Sequence, residues 1–144
     1  TQPNHALFLP LADCVGAILY DPVKEFLMVS HLGRHSTEQQ GAAKSLQYLQ
    51  ELGSRPEDIK IWLSPAVGKA SYPLQLFNGK GLHETIVEQL LALGVSRQNI
   101  EVSRVDTAMD EHYFSHSQFL NGHESEAGRF AIVAMMNVQG EPAV

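Results

Sequence analysis

Ala12-Asp13-Cys14-Val15-Gly16-Ala17-Ile18-Leu19-Tyr20-Asp21-Pro22-Val23-Lys24-Glu25-Phe26-Leu27-Met28-Val29-Ser30-His31 is the stretch that decides the fold. Residues 14 to 20 form an unbroken apolar run, the pattern of a strand buried on both faces. Asp21-Pro22-Val23-Lys24 supplies turn chemistry, with proline able to set φ at the second turn position. Residues 25 to 31 then return as a second strand. A two-residue loop, Pro22-Val23, and a four-residue loop over 21 to 24 give the same antiparallel register, in which paired residue numbers sum to 45. Cys14 and His31 share that sum. The register therefore predicts them directly opposite on one face, with Cβ atoms ~4.5–5.5 Å apart. At that distance they suit a thiolate–imidazolium pair or two ligands on one metal ion.

Working outward, residues 6 to 10 read as a short strand. A helix is expected from an N-cap at Ser36 or Thr37, with Ala42, Leu46 and Leu49 on its apolar face and Gly53 at its end. Ile59 to Leu63 is a strand, followed by the loop Ser64-Pro65-Ala66-Val67-Gly68-Lys69. Leu82, Ile86, Leu90 and Leu93 mark a second amphipathic helix closed by Gly94. Ile100 to Val105 and Arg129 to Asn137 are two more strands, and residues 106 to 127 an irregular, histidine-bearing loop. Strands alternating with two good helices predict a layered α/β (α+β) domain, its mixed or paired sheets covered by helices. One domain over residues 1–144 suits the length.

The chain carries 10 Lys and Arg against 16 Asp and Glu, a formal net charge of −6. No basic face offers itself to nucleic acid or anionic lipid. Neither a membrane-length apolar run nor a signal-peptide pattern is present in the sequence. One cysteine beside seven histidines excludes an internal disulfide and fits a reducing, cytoplasmic setting.

Asp13 places a carboxylate beside Cys14, and His31 opens into His31-Leu32-Gly33-Arg34-His35, a polar loop at a strand end. Catalytic candidates are thus Cys14, His31 and Asp13. A metal site would draw on Cys14, His31 and one more histidine: His35 first, then His112 or His123. Three protein ligands would leave a position for water. Arg34 and Lys69 are the cations near the motif loops able to orient an anionic group. His5 and His83 read as exposed loop histidines. Two other readings use the same residues: a metal-free cysteine hydrolase, with Cys14 as nucleophile and His31 as base, and a non-catalytic binding or structural module.

Ala12-Asp13-Cys14-Val15, with its apolar strand ending Tyr20-Asp21-Pro22, resembles the laccase-domain (YfiH-like) family, also known as polyphenol oxidases. His31-Leu32-Gly33-Arg34-His35-Ser36-Thr37 falls on that family's His-Ala-Gly-Trp-Arg-Gly-Thr motif at the same distance from the cysteine. Ser64-Pro65-Ala66-Val67-Gly68 resembles its Gly-Pro-Ala-Ile-Gly loop. Tyr113-Phe114-Ser115 and Gly128-Arg129 resemble its closing Phe-Ser-Tyr-Arg-Arg and Gly-Arg elements. The resemblance runs from about residue 6 to residue 137. It implies a two-sheet sandwich with outer helices and a Cys/His site for zinc, with copper as the alternative. The implied substrate is a purine nucleoside, undergoing phosphorolysis or deamination, and Ser115 and Arg129 join Arg34 and Lys69 as substrate-binding candidates. Departures are visible too. Trp and Arg of the second motif are Arg34 and His35, the late cysteine is Asp106, and His116-Ser117-Gln118 replaces Tyr-Arg-Arg. The family's third metal ligand lies in an upstream His-Gly motif that this chain does not contain. An absent upstream segment would leave a sheet edge unpaired, where a homodimer is one expected way to cover it.

Overall fold

The structure is a computed structural model and describes residues 1–137; the strand expected over 129–137 is shorter, Phe130–Ala134. β1 (Leu7–Leu11), β2 (Val15–Asp21) and β3 (Phe26–Leu32) come first, then α1 (Arg34–Glu38) and α2 (Gly41–Glu51). β4 (Lys60–Leu63), α3 (Leu82–Ala92), β5 (Ile100–Val102), α4 (His116–Leu120) and β6 (Phe130–Ala134) follow. Four strands form a mixed sheet in the order β3-β2-β4-β5, antiparallel except for the parallel β4–β5 pair, while β1 and β6 form a separate antiparallel pair. The layered α/β architecture expected from the sequence is what the chain adopts.

β2 is apolar from Val15 to Leu19 because both of its faces are covered. Val15, Ala17 and Leu19 pack with Leu46 and Leu49 of α2 and Ile86 and Leu90 of α3 in the main core. On the opposite face Ile18 and Tyr20 join Leu27 and Val29 of β3 against Leu7 and Ala134 of the small sheet. Gly16 of β2 faces side chains of the small sheet. A Cβ there would fall 2.5 Å from Ile132 Cδ1 and 2.8 Å from Leu11 Cδ1, so a larger residue would force those side chains to shift.

The first helix begins earlier than its sequence signals. Arg34 opens α1, and Gln40, in the left-handed region at φ 62°, separates it from α2. Gly53 and Gly94, at φ 96° and 92°, end α2 and α3 as read. The 106–127 loop is irregular apart from α4.

The hairpin register differs from the one predicted. Asp21 pairs with Phe26, so the loop is Pro22–Glu25 and paired numbers sum to 47. The cause is local. The Asp21 carboxylate accepts the backbone N–H groups of Val23 (2.8 Å) and Lys24 (3.0 Å), and Glu25 takes φ 54°, which moves the turn one residue on. Asp21 is fully buried. Burial alone would push its pKa up. The neighbouring Ser54 hydroxyl, the Lys24 and Val23 N–H groups and the Lys24 ammonium outweigh burial and hold it below the ordinary carboxylate value. A depressed folded pKa contributes stability above the unfolded value, which is lost as pH falls through the folded one. Wild type is therefore expected to be more stable than Asp21→Asn at neutral pH, with the gap closing below about pH 4. Thermal melts of both proteins between pH 7 and pH 3 check this; a gap constant with pH contradicts it.

Candidate Cys–His site

A register sum of 47 instead of 45 shifts the pairing by two residues, which preserves the face. His31 lies opposite Gly16, and Cys14, just before β2, comes beside Gly33. The predicted direct opposition is thus replaced by a diagonal relation, with a glycine across from each functional residue. An ideal Cβ on Gly33 would sit 2.8 Å from Cys14 Sγ and 4.0 Å from His31 Nε2. The thiol and the imidazole border one small space, open because Gly33 has no side chain. Cys14 is partly buried and His31 exposed, so the space is reachable from solvent.

Burial, and after it the charge of Asp13, push the Cys14 thiol pKa above its ordinary value, while the Arg129 guanidinium pulls it down. Arg129 is exposed, and its Nη1 donates to the carbonyl of Gly128. Asp13 is buried and its carboxylate is engaged: Oδ1 accepts from Thr107 Oγ1 (2.8 Å) and Oδ2 from Ser117 N–H (2.6 Å).

The other candidates are placed as follows. His35 is 79% exposed and turned toward Glu38, 3.9 Å away, with Arg34 Nη2 3.3 Å from its other ring nitrogen. Lys69 pairs with Glu84 at 3.7 Å. Ser115 is buried as the N-cap of α4, its hydroxyl accepting from Gln118 N–H and lying 3.0 Å from Ser117 Oγ. His112 is held by Asp110 at 2.9 Å, and His123 lies in the same loop. Asp106 packs over Gly68, where a Cβ would clash with its carboxylate. His83 departs from the expected exposed loop position: it sits in α3, half-buried, 2.8 Å from the Ser64 carbonyl, and burial lowers its pKa.

Sequence reasoning passed over three contributors. Gly33 is the spacer between thiol and imidazole, and its signal was present in the second motif. Thr107 anchors Asp13 across 94 positions of chain, which no local pattern announces. A cavity of about 610 Å³ is lined by Thr107, Asp110, Tyr113, Phe114, His123 and Glu124 among others. Neither Cys14 nor His31 lines it, but Thr107 joins its wall to Asp13.

The profile of the family described as multi-copper polyphenol oxidoreductase laccase matches residues 1–77 and 78–137. The chain belongs to that family. A Bacillus subtilis protein named purine nucleoside phosphorylase YlmD is 38% identical over 72 residues, 49% of this chain and 26% of that protein. A Mycobacterium tuberculosis purine nucleoside phosphorylase is 27% identical over 154 residues, 93% of this chain and 59% of that protein. Among solved structures, YlmD from Geobacillus stearothermophilus superposes with a TM-score of 0.84 at 23% identity, covering 95% of this chain and 59% of that one. Bacillus licheniformis YfiH gives 0.82 at 24%, covering 94% and 59%. At these identities the superpositions establish the fold. The chain spans 59% or less of each relative's length.

The family description implies a metal, and the donors fit one in kind. A thiolate and an imidazole are ligands that zinc and copper both accept. In number they fall short: among the described residues no group of three or more His, Cys, Asp or Glu side chains could hold an ion. Cys14 and His31 would supply two donors to such a site, which would need further ones. Among the described residues, no helix is long and apolar enough to cross a membrane.

Proposed function

We propose that this chain carries the Cys14–His31 half of a metal-assisted site acting on a purine nucleoside, by phosphorolysis or deamination. The observation that carries the reading is the convergence of Cys14 Sγ and His31 Nε2 on the space above Gly33. The names of the relatives supply the substrate class. Cys14 and His31 would hold zinc, with copper as the alternative, and the ion when bound supplies Lewis acidity at that space.

The chain's own groups take complementary parts. His31, exposed at a strand end, is reachable for proton transfer to or from a bound substrate. Arg129 directs positive charge toward Cys14, which suits an anionic co-substrate such as phosphate. The raised thiol pKa weighs against Cys14 acting as a metal-free nucleophile, because the thiolate is the reactive form. A non-catalytic module is the second reading, and the two-donor count among the described residues favours it.

The test is release of free purine base from adenosine or inosine with phosphate and zinc, or of ammonia from adenosine with zinc. Wild type is expected to turn over, and Cys14→Ser and His31→Ala to lose at least ~100-fold. Wild type without turnover would sink the enzymatic reading and leave the binding module; variants as active as a wild type that turns over would sink the assignment to Cys14 and His31.

A further inference from the structure

Among the described residues, five other than glycine have positive φ: Asn4, Asp13, Glu25, Gln40 and Asn78. Four of them are exposed turn residues; Asp13, at φ 76°, is buried. A left-handed aspartate in the interior persists only where its surroundings over-determine it. Here three chain segments do so. Val67 N–H donates to the Asp13 carbonyl at 2.9 Å, which fixes the peptide plane joining Asp13 to Cys14. Thr107 Oγ1 and Ser117 N–H hold the two carboxylate oxygens. Both donors are neutral and directed, so geometry is what these bonds specify.

We infer that Asp13 is a positioning residue, locking the Cys14 thiol in fixed register with the Thr107 wall of the loop cavity. The role rests on reading Cys14 as part of the functional site. Both carboxylate oxygens accept from groups of the chain itself, which is the arrangement of an anchor. Asp13 sets the direction in which β2 starts, and with it where Sγ lies relative to His31. The same residue ties down the segment from Thr107 to Ser117 that forms most of the cavity. Displacing either bond therefore moves the thiol and the cavity wall together.

Position and charge are separable by substitution. Thr107→Val removes one tether and keeps the carboxylate. Asp13→Asn removes the charge, tolerates the left-handed backbone, and retains an acceptor for Ser117 N–H and a donor toward Thr107 Oγ1. Asp13→Ala removes everything. Cys14 is the sole cysteine, so iodoacetamide labelling of the metal-free chain reports on it alone, with thermal melts confirming that each variant is folded. Thr107→Val is expected to label about tenfold faster than wild type, as loss of a buried hydrogen bond eases local opening. Asp13→Ala should label at least as fast, and Asp13→Asn more slowly than either. Thr107→Val at the wild-type rate, with Asp13→Asn and Asp13→Ala equally fast, would overturn the proposal in favour of a purely electrostatic role. If Asp13→Ala does not fold, the comparison of Thr107→Val with Asp13→Asn decides alone. Cobalt(II) titration tests the metal reading separately. A thiolate-to-cobalt absorption band in wild type supports that reading, and its absence sinks the metal while leaving the labelling contrast to judge Asp13.

Discussion

Gly33→Ala is expected to cost at least about tenfold in zinc or cobalt affinity while the chain stays folded, an effect in the range that misplaced ligand support produces. The backbone at Gly33, φ −90° and ψ −172°, is extended and open to any residue. Alanine therefore brings no backbone strain. What it brings is one methyl group, 2.8 Å from Cys14 Sγ and 4.0 Å from His31 Nε2. The sulfur contact is far inside van der Waals separation, so the Cys14 side chain must rotate away or the strand end must move. Either response takes the thiol out of the space it shares with the imidazole. Metal titration followed by cobalt absorption, beside a thermal melt, separates this from unfolding. An alanine variant with unchanged affinity would mean that the space above Gly33 is not where thiol and imidazole meet a ligand.

The same glycine explains what the sequence made visible and what it hid. Strand identity was legible because β2 is apolar at every position that two packed layers enclose. The helix ends were legible because Gly53 and Gly94 occupy left-handed positions. The register was not, because it depends on where a turn closes, and the Asp21 carboxylate decides that by capturing two backbone N–H groups. The error was two residues, and the alternating pleat returned Cys14 and His31 to the same face. An error of one would have separated them. The pairing of the two residues was thus right in face and wrong in contact, which is why Gly33 was overlooked as the spacer.

The third ligand was not legible for a different reason. His35 follows His31 at i+4, a spacing that favours shared ligation only on a continuous helix. The strand ends at Leu32 and α1 starts at Arg34, so the chain changes direction between the two histidines and His35 turns to Glu38. Ser115 falls in a family motif, and its buried hydroxyl caps α4, a role that the motif alone does not announce. Long-range tethers such as Thr107 to Asp13 depend on tertiary packing and leave no periodic trace.

Labelling of Cys14 in the metal-free wild-type chain is expected to be slow at pH 7 and to rise at least several-fold per pH unit up to pH 9. Burial is the larger cause of its raised pKa and the Asp13 charge the second. Both disfavour the thiolate, which is the reacting species. At neutral pH the thiolate fraction stays below the few per cent of an ordinary cysteine. Arg129 acts in the opposite sense, so Arg129→Ala should slow labelling further at every pH in this range. Fast labelling at pH 7, or a rate flat between pH 7 and pH 9, would instead describe a thiol already ionised and would restore the cysteine-hydrolase reading. A bound cation would reverse this balance and deprotonate the thiol outright. Zinc added at pH 7 should then protect Cys14 from the reagent in wild type and much less in His31→Ala, since loss of the imidazole leaves the sulfur without its partner donor.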